Sequence, residues 1–66
     1  MTVTAETITD EQISDLWKQA QRDLDADTIH TCNAARNTFG DYTPEYQREC
    51  RARCAEIWNA RQGSTP

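Results

Sequence analysis

His30, Cys32, Cys50 and Cys54 are the side chains of this 66-residue sequence that could hold a soft metal or form a nucleophile–base pair. A structural zinc site needs four ligands converging on one point. Cys50 and Cys54 lie one turn apart and share a helical face. His30 and Cys32 are two residues apart, so on a helix their side chains diverge by about 200°. Three convergent ligands at most remain, and small cysteines on apolar stripes account for the same residues without a metal. The same divergence separates thiol from imidazole, which argues against a Cys–His catalytic pair. A Cys50–Cys54 disulfide would be strained within a helix, because paired cysteines need close, facing Cβ atoms. Cys32 could bridge to either one only across helices. The odd count of three fits reduced thiols better than a disulfide framework. The carboxylates are spread over caps and helix surfaces. The expectation is a non-enzyme with no catalytic residues, no metal and no cofactor.

The elements that must position these residues are legible from Ile8-Thr9-Asp10-Glu11-Gln12-Ile13 onward. Thr9 and Gln12 form a capping box, and Ile8 and Ile13 occupy the two positions of a hydrophobic staple. Asp10 and Glu11 place negative charge at the positive end of the helix. Ile13, Leu16, Trp17, Ala20 and Leu24 then fall within an arc of roughly 100° at helical spacing. A first helix is expected over about 10–23. Asp25 is the expected cap of a second helix over about 26–38, with Ile29, Cys32, Ala35 and Phe39 on its apolar side and Gly40 at its end. Thr43 and Pro44 read as the cap and first position of a third helix over about 44–61. Its inner side is expected to carry Tyr46, Cys50, Cys54, Ile57 and Trp58. Nothing reads as a strand. The fold class expected is all-α, a small three-helix bundle, with 1–66 as a single domain and residues 1–7 and 63–66 frayed.

Charge narrows the ligand classes. The chain carries a net −4, but residues 1–30 hold −5 of it and residues 31–66 hold +1. A phosphate-binding footprint comes with a basic domain or face, so an acidic chain argues against nucleic acid as a partner. No basic, apolar leader opens the chain and no apolar run approaches a membrane span, so no membrane association is expected. With reduced thiols, this points to a cytoplasmic protein.

Arg48, Arg51 and Arg53 interleave with Glu45, Glu49 and Glu56 on the third helix. Glu49 and Arg53 form a favourable i,i+4 pair. The bland account is a solvated, salt-bridged face; the functional account is a contact surface for an acidic partner. Alanine at Arg48, Arg51 and Arg53 is expected to leave stability nearly unchanged on the bland account and to abolish partner binding on the functional one. Arg36 falls between Cys32 and Phe39, where it either snorkels outward or pairs with an aspartate of the first helix. Trp17 and Trp58 stand at the edges of core stripes, and Tyr42 lies in the loop. Trp, Tyr and Arg are enriched at interface hot spots. Arg36, Tyr42, Arg48, Arg51, Arg53 and Trp58 are therefore the candidate protein-binding residues.

The order of pieces is also familiar: the ITDEQI helix start, Ile29-x-x-Cys32-x-x-Ala35, then Arg51-Ala-Arg-Cys54-Ala-Glu. Over about residues 8–61 this resembles a group of small, mostly uncharacterised helical proteins encoded in bacteriophages, prophages and plasmids of proteobacteria. The resemblance implies an accessory gene product in a bacterial host cytoplasm and brings no catalytic residues. The resulting expectation is a protein-binding module that masks or modulates a host or phage protein, anti-defence inhibition being one version. The alternatives are a self-associating homodimer and, more weakly, a nucleic-acid-linked regulator.

Overall fold

The structure, a computed structural model, describes residues 2–62. It contains three helices: α1 (Asp10–Arg22), α2 (Ala26–Arg36) and α3 (Pro44–Gln62), with no strand among the described residues. The all-α three-helix bundle expected from the sequence is what forms. None of these helices is long and apolar enough to cross a membrane.

α1 begins as its sequence requires. The Thr9 hydroxyl accepts from the Gln12 amide at 3.1 Å, and the Gln12 side chain accepts from the Thr9 amide at 2.9 Å. Ile8 and Ile13 are both buried in one core cluster with Leu16. The helix ends in a Schellman motif. The Asp25 amide bonds to the Ala20 carbonyl at 2.8 Å and the Leu24 amide to Gln21 at 3.2 Å. Leu24 sits at the left-handed position, φ 57°, and is 88 % exposed. It therefore leaves the apolar arc expected to contain it, because the chain has turned before its side chain can face inward.

α2 starts at the expected cap. Asp25 accepts from the Thr28 amide at 3.2 Å and from the Thr28 hydroxyl at 2.6 Å. Its end is earlier than expected: Asn37 takes the left-handed position at φ 47° and ends the helix, while Gly40, left-handed as expected at φ 70°, lies in the loop beyond it. Its buried side is also rotated. Thr28, Thr31, Cys32, Ala34 and Ala35 face the core, whereas Ile29 is only half-buried and Phe39 lies beyond the helix, exposed. Thr31 tolerates burial because its hydroxyl donates to the Asp27 carbonyl at 2.8 Å, leaving its methyl group as the packing surface. Arg36 points to solvent, the first of its two expected options.

α3 is capped by Thr43, whose hydroxyl accepts from the Tyr46 amide at 3.1 Å, with Pro44 at the first position. α2 packs against both neighbours, while α1 and α3 meet over a shorter stretch. Small side chains, Cys32, Ala34 and Ala35 on α2 and Cys54 and Ala55 on α3, contribute to the shared core, and Cys32 meets Cys54 between the two helices.

The N-terminal segment was expected to fray, and from Val3 onward it is instead tied down along α3. Asn59 pairs with the Val3 backbone in both directions at 2.9 Å. Arg51 donates to the carbonyls of Ala5, at 2.9 Å, and Ile8. A turn closed by the Ile8 amide on the Thr4 carbonyl at 2.9 Å shapes the segment between. The polar sequence carried no periodicity to reveal this, because the segment is held by α3 side chains and not by its own pattern. The fraying expected of residues 63–66, like that of Met1, lies outside the described residues.

Candidate functional site

Asn37 determines where the site lies. Its left-handed backbone ends α2, and its side chain then clamps the loop, Oδ1 accepting from the Tyr42 amide and Nδ2 donating to the Tyr42 carbonyl, both at 3.1 Å. Gln47 reaches back from α3 to the Ala35 carbonyl at 3.1 Å and fixes the same junction. Asn tolerates the left-handed region and carries both a donor and an acceptor. The result is a short, rigid link that presents Tyr42 beside the start of α3.

There Tyr42 meets Tyr46 with ring centroids 5.4 Å apart and planes inclined at 31°, and meets His30 edge-on at 5.9 Å. His30 Nε2 and the Tyr46 hydroxyl share a hydrogen bond of 3.0 Å. Tyr46 is 37 % exposed and Phe39, across a small hollow shared with Tyr42, is 88 % exposed. The Tyr46 phenol is raised above its ordinary value, first because the Cys50 thiol beside it would become a second negative charge, then through burial. It stays protonated at neutral pH and available as a donor. The Cys50 thiol is itself raised, chiefly by burial.

From this aromatic cluster an open groove of about 660 Å³ runs between α2 and α3. Asp25, Asp27 and Glu49 bring three carboxylates to it, against one guanidinium from Arg53; Thr28, Thr31, Cys50 and Ile57 form its floor. Asp25 is held below the usual carboxylate range, first by the Thr28 hydroxyl and then by the Thr28 amide, so its charge persists in the groove.

The residues singled out from sequence do not gather here. Tyr42 and Arg53 belong to this face. Arg48 and Arg51 stand on the other flank of α3, turned to the N-terminal segment: Arg48 pairs with Glu6, and Arg51 binds the Ala5 and Ile8 carbonyls and lies 3.5 Å from Asp10. Arg51 is half-buried, so the expectation that it is a free surface arginine is corrected. Its guanidinium finds backbone acceptors that become available only when the segment folds onto it. Arg36 is exposed at the end of α2, and Trp58 is half-buried against the core. His30, Phe39 and Tyr46 are the additions. Tyr42 and Tyr46 flank the Thr43–Pro44 helix start, which brings them near each other. His30 and Phe39 join them only through the fold, with Tyr46 and Phe39 exposed and off the core stripes expected to hold them.

The Cys32 and Cys54 thiols lie apart from this chemistry. Cys32 and Cys54 are buried in the core, Cys54 donating to Cys32 across an Sγ–Sγ distance of 3.9 Å, and no disulfide joins any of the three. The Cys54 thiol is driven far above its ordinary value, first by that hydrogen bond and then by burial. Cys32 faces the core and His30 the groove, the divergence expected of residues two apart. No group of three or more candidate metal ligands converges among the described residues. No protein-family model matches the sequence, and no curated protein or solved structure matches it either.

Proposed function

We propose that this chain is a small non-enzymatic protein-binding module, acting by covering a surface of another protein, and that the His30–Tyr42–Tyr46 face with Phe39 is where it docks. The observation that carries the reading is the grouping of two exposed aromatics, Phe39 and Tyr46, with a half-buried third, Tyr42, on a rigid link. Aromatic side chains concentrate interface energy, and neighbouring exposed apolar surface marks contact sites more often than scattered single residues do. The sequence resemblance supports the wider setting: a phage or mobile-element product that masks or modulates a host or phage protein in the bacterial cytoplasm. The arginines of α3 are no longer the favoured contact surface, since Arg48 and Arg51 are engaged within the chain.

Affinity capture from bacterial lysate tests the reading, comparing wild type with Phe39→Ser/Tyr46→Ser and with Arg48→Ala on the opposite flank. A protein retained by wild type and Arg48→Ala but lost from the aromatic double variant is the expected result. Equal retention by all three would sink the assignment of this face.

A further inference from the structure

The N-terminal segment lies along one flank of α3, leaving a hollow of about 480 Å³ between Glu6, Glu45 and Arg48, and on the other flank the wider groove between α2 and α3 is open. The two flanks differ in charge. The covered flank presents Arg48 and Arg51, and its cover supplies Glu6 and backbone carbonyls, so acceptors meet donors. The open flank presents Asp25, Asp27 and Glu49 with a single lining arginine, Arg53, next to Tyr46, which lines the groove and meets Tyr42 at its end. By the same complementarity its cover should supply cations.

We propose that the groove takes a basic, extended segment of a partner protein, with an arginine or lysine side chain against the tyrosine pair and its neighbours on the carboxylates. This rests on the reading of the aromatic face as the docking site and names the chemistry of what docks there. Guanidinium groups stack on aromatic faces and pair with carboxylates in the same encounter. Asp25 contributes charge more than contact, because both its oxygens already bind Thr28. Asp27 and Glu49 are exposed carboxylates that make no ion pair among the described residues. Arg53 limits the number of cations the groove accepts, which favours a segment with spaced basic residues over a continuous run.

The probe is an arginine–glycine repeat peptide, titrated into the full ¹⁵N-labelled chain and compared with a glutamate–glycine repeat of equal length. The expected result is movement of the Thr28, Thr31, Glu49 and Arg53 amide signals with the arginine peptide alone. Affinity should fall about tenfold in Asp27→Asn/Glu49→Gln and in Tyr46→Ala, and change little in Glu11→Gln/Asp15→Asn. That last variant removes the same charge from α1. Equal loss from the α1 variant would reduce the binding to the net charge of the chain and overturn the proposal. So would signals that move elsewhere, or groove signals that move with protein concentration alone, which would put a second copy in the groove. A lysate partner captured through Phe39 and Tyr46 by a chain that ignores the arginine peptide would overturn the basic segment while leaving the docking face standing.

Discussion

α3 carries arginine and glutamate along both flanks of its buried stripe, yet the two flanks have opposite relations to the rest of the chain. On one, Arg48 and Arg51 are occupied by the N-terminal segment, and Asn59 completes the attachment. On the other, Tyr46, Glu49 and Arg53 border a groove that no part of the described chain fills. Arginine and glutamate along a helix therefore say little about use until what each flank faces is known. An arginine beside unpaired carbonyls becomes a structural clamp, while Glu49, beside the exposed Tyr46, makes no ion pair among the described residues.

Arg51→Met is the substitution that separates the flanks most strongly. It keeps the aliphatic stem but removes the donors to Ala5 and Ile8, and should cost about 1–3 kcal/mol. That corresponds to a melting temperature lower by roughly 4–8 °C per kcal/mol in a domain of this size. Urea and thermal unfolding measure it, and peptide binding in the groove should persist. An unchanged melting temperature would mean that Arg51 is not what holds the segment.

Acid unfolding compares the two flanks through their carboxylates. Glu6 on the covered flank is held below its ordinary value by its own backbone, by Thr4 and by Arg48, and Asp25 on the groove side by Thr28. Both folded-state values are depressed, so their stabilisation is fully present above the unfolded values, near pH 4, and lost as pH falls through the folded ones. Glu6 is exposed and Asp25 only half-buried, so solvent screening keeps the effect small. Asp25→Asn retains a capping side chain but no longer titrates; it should flatten the fall of melting temperature with acid and leave neutral stability close to wild type. An unaltered acid slope would remove Asp25 from this account.

The smallest effects belong to Arg36→Ala and Arg48→Ala. Arg36 is exposed and Arg48 makes a surface ion pair, a class whose contribution is often unmeasurable. Neither should move the melting temperature or groove binding. Loss of partner binding in either would return the site to the arginines.

What could be read in advance was mostly local. Thr9 with Gln12, Asp25 with Thr28, and Thr43 before Pro44 each start a helix through side chains within three residues of the amide they cap. The same kind of reading failed where a local pattern had two outcomes. Asn37 could continue α2 or end it, and ending it released Phe39 from the stripe it shared with Cys32. Thr28 and Thr31 looked polar, but once their hydroxyls were satisfied within the helix their methyl groups could be buried. Of the candidate site, Tyr42 and Arg53 are legible from residue type and position, whereas His30 and Tyr46 carry no local signal that places them together.

The sequence by itself determined three helices, their caps and the inward thiols, because hydrogen-bonded caps and helical periodicity act over a few residues. Only the tertiary structure decided that Arg51 is a clamp, that residues 3–8 form a cover, and that His30, Tyr42 and Tyr46 meet. Those outcomes depend on partners 12 and more residues away, such as Tyr42 and Tyr46 for His30 and Ala5 for Arg51. At such separations the chain's folded path, and not its local pattern, chooses the neighbour.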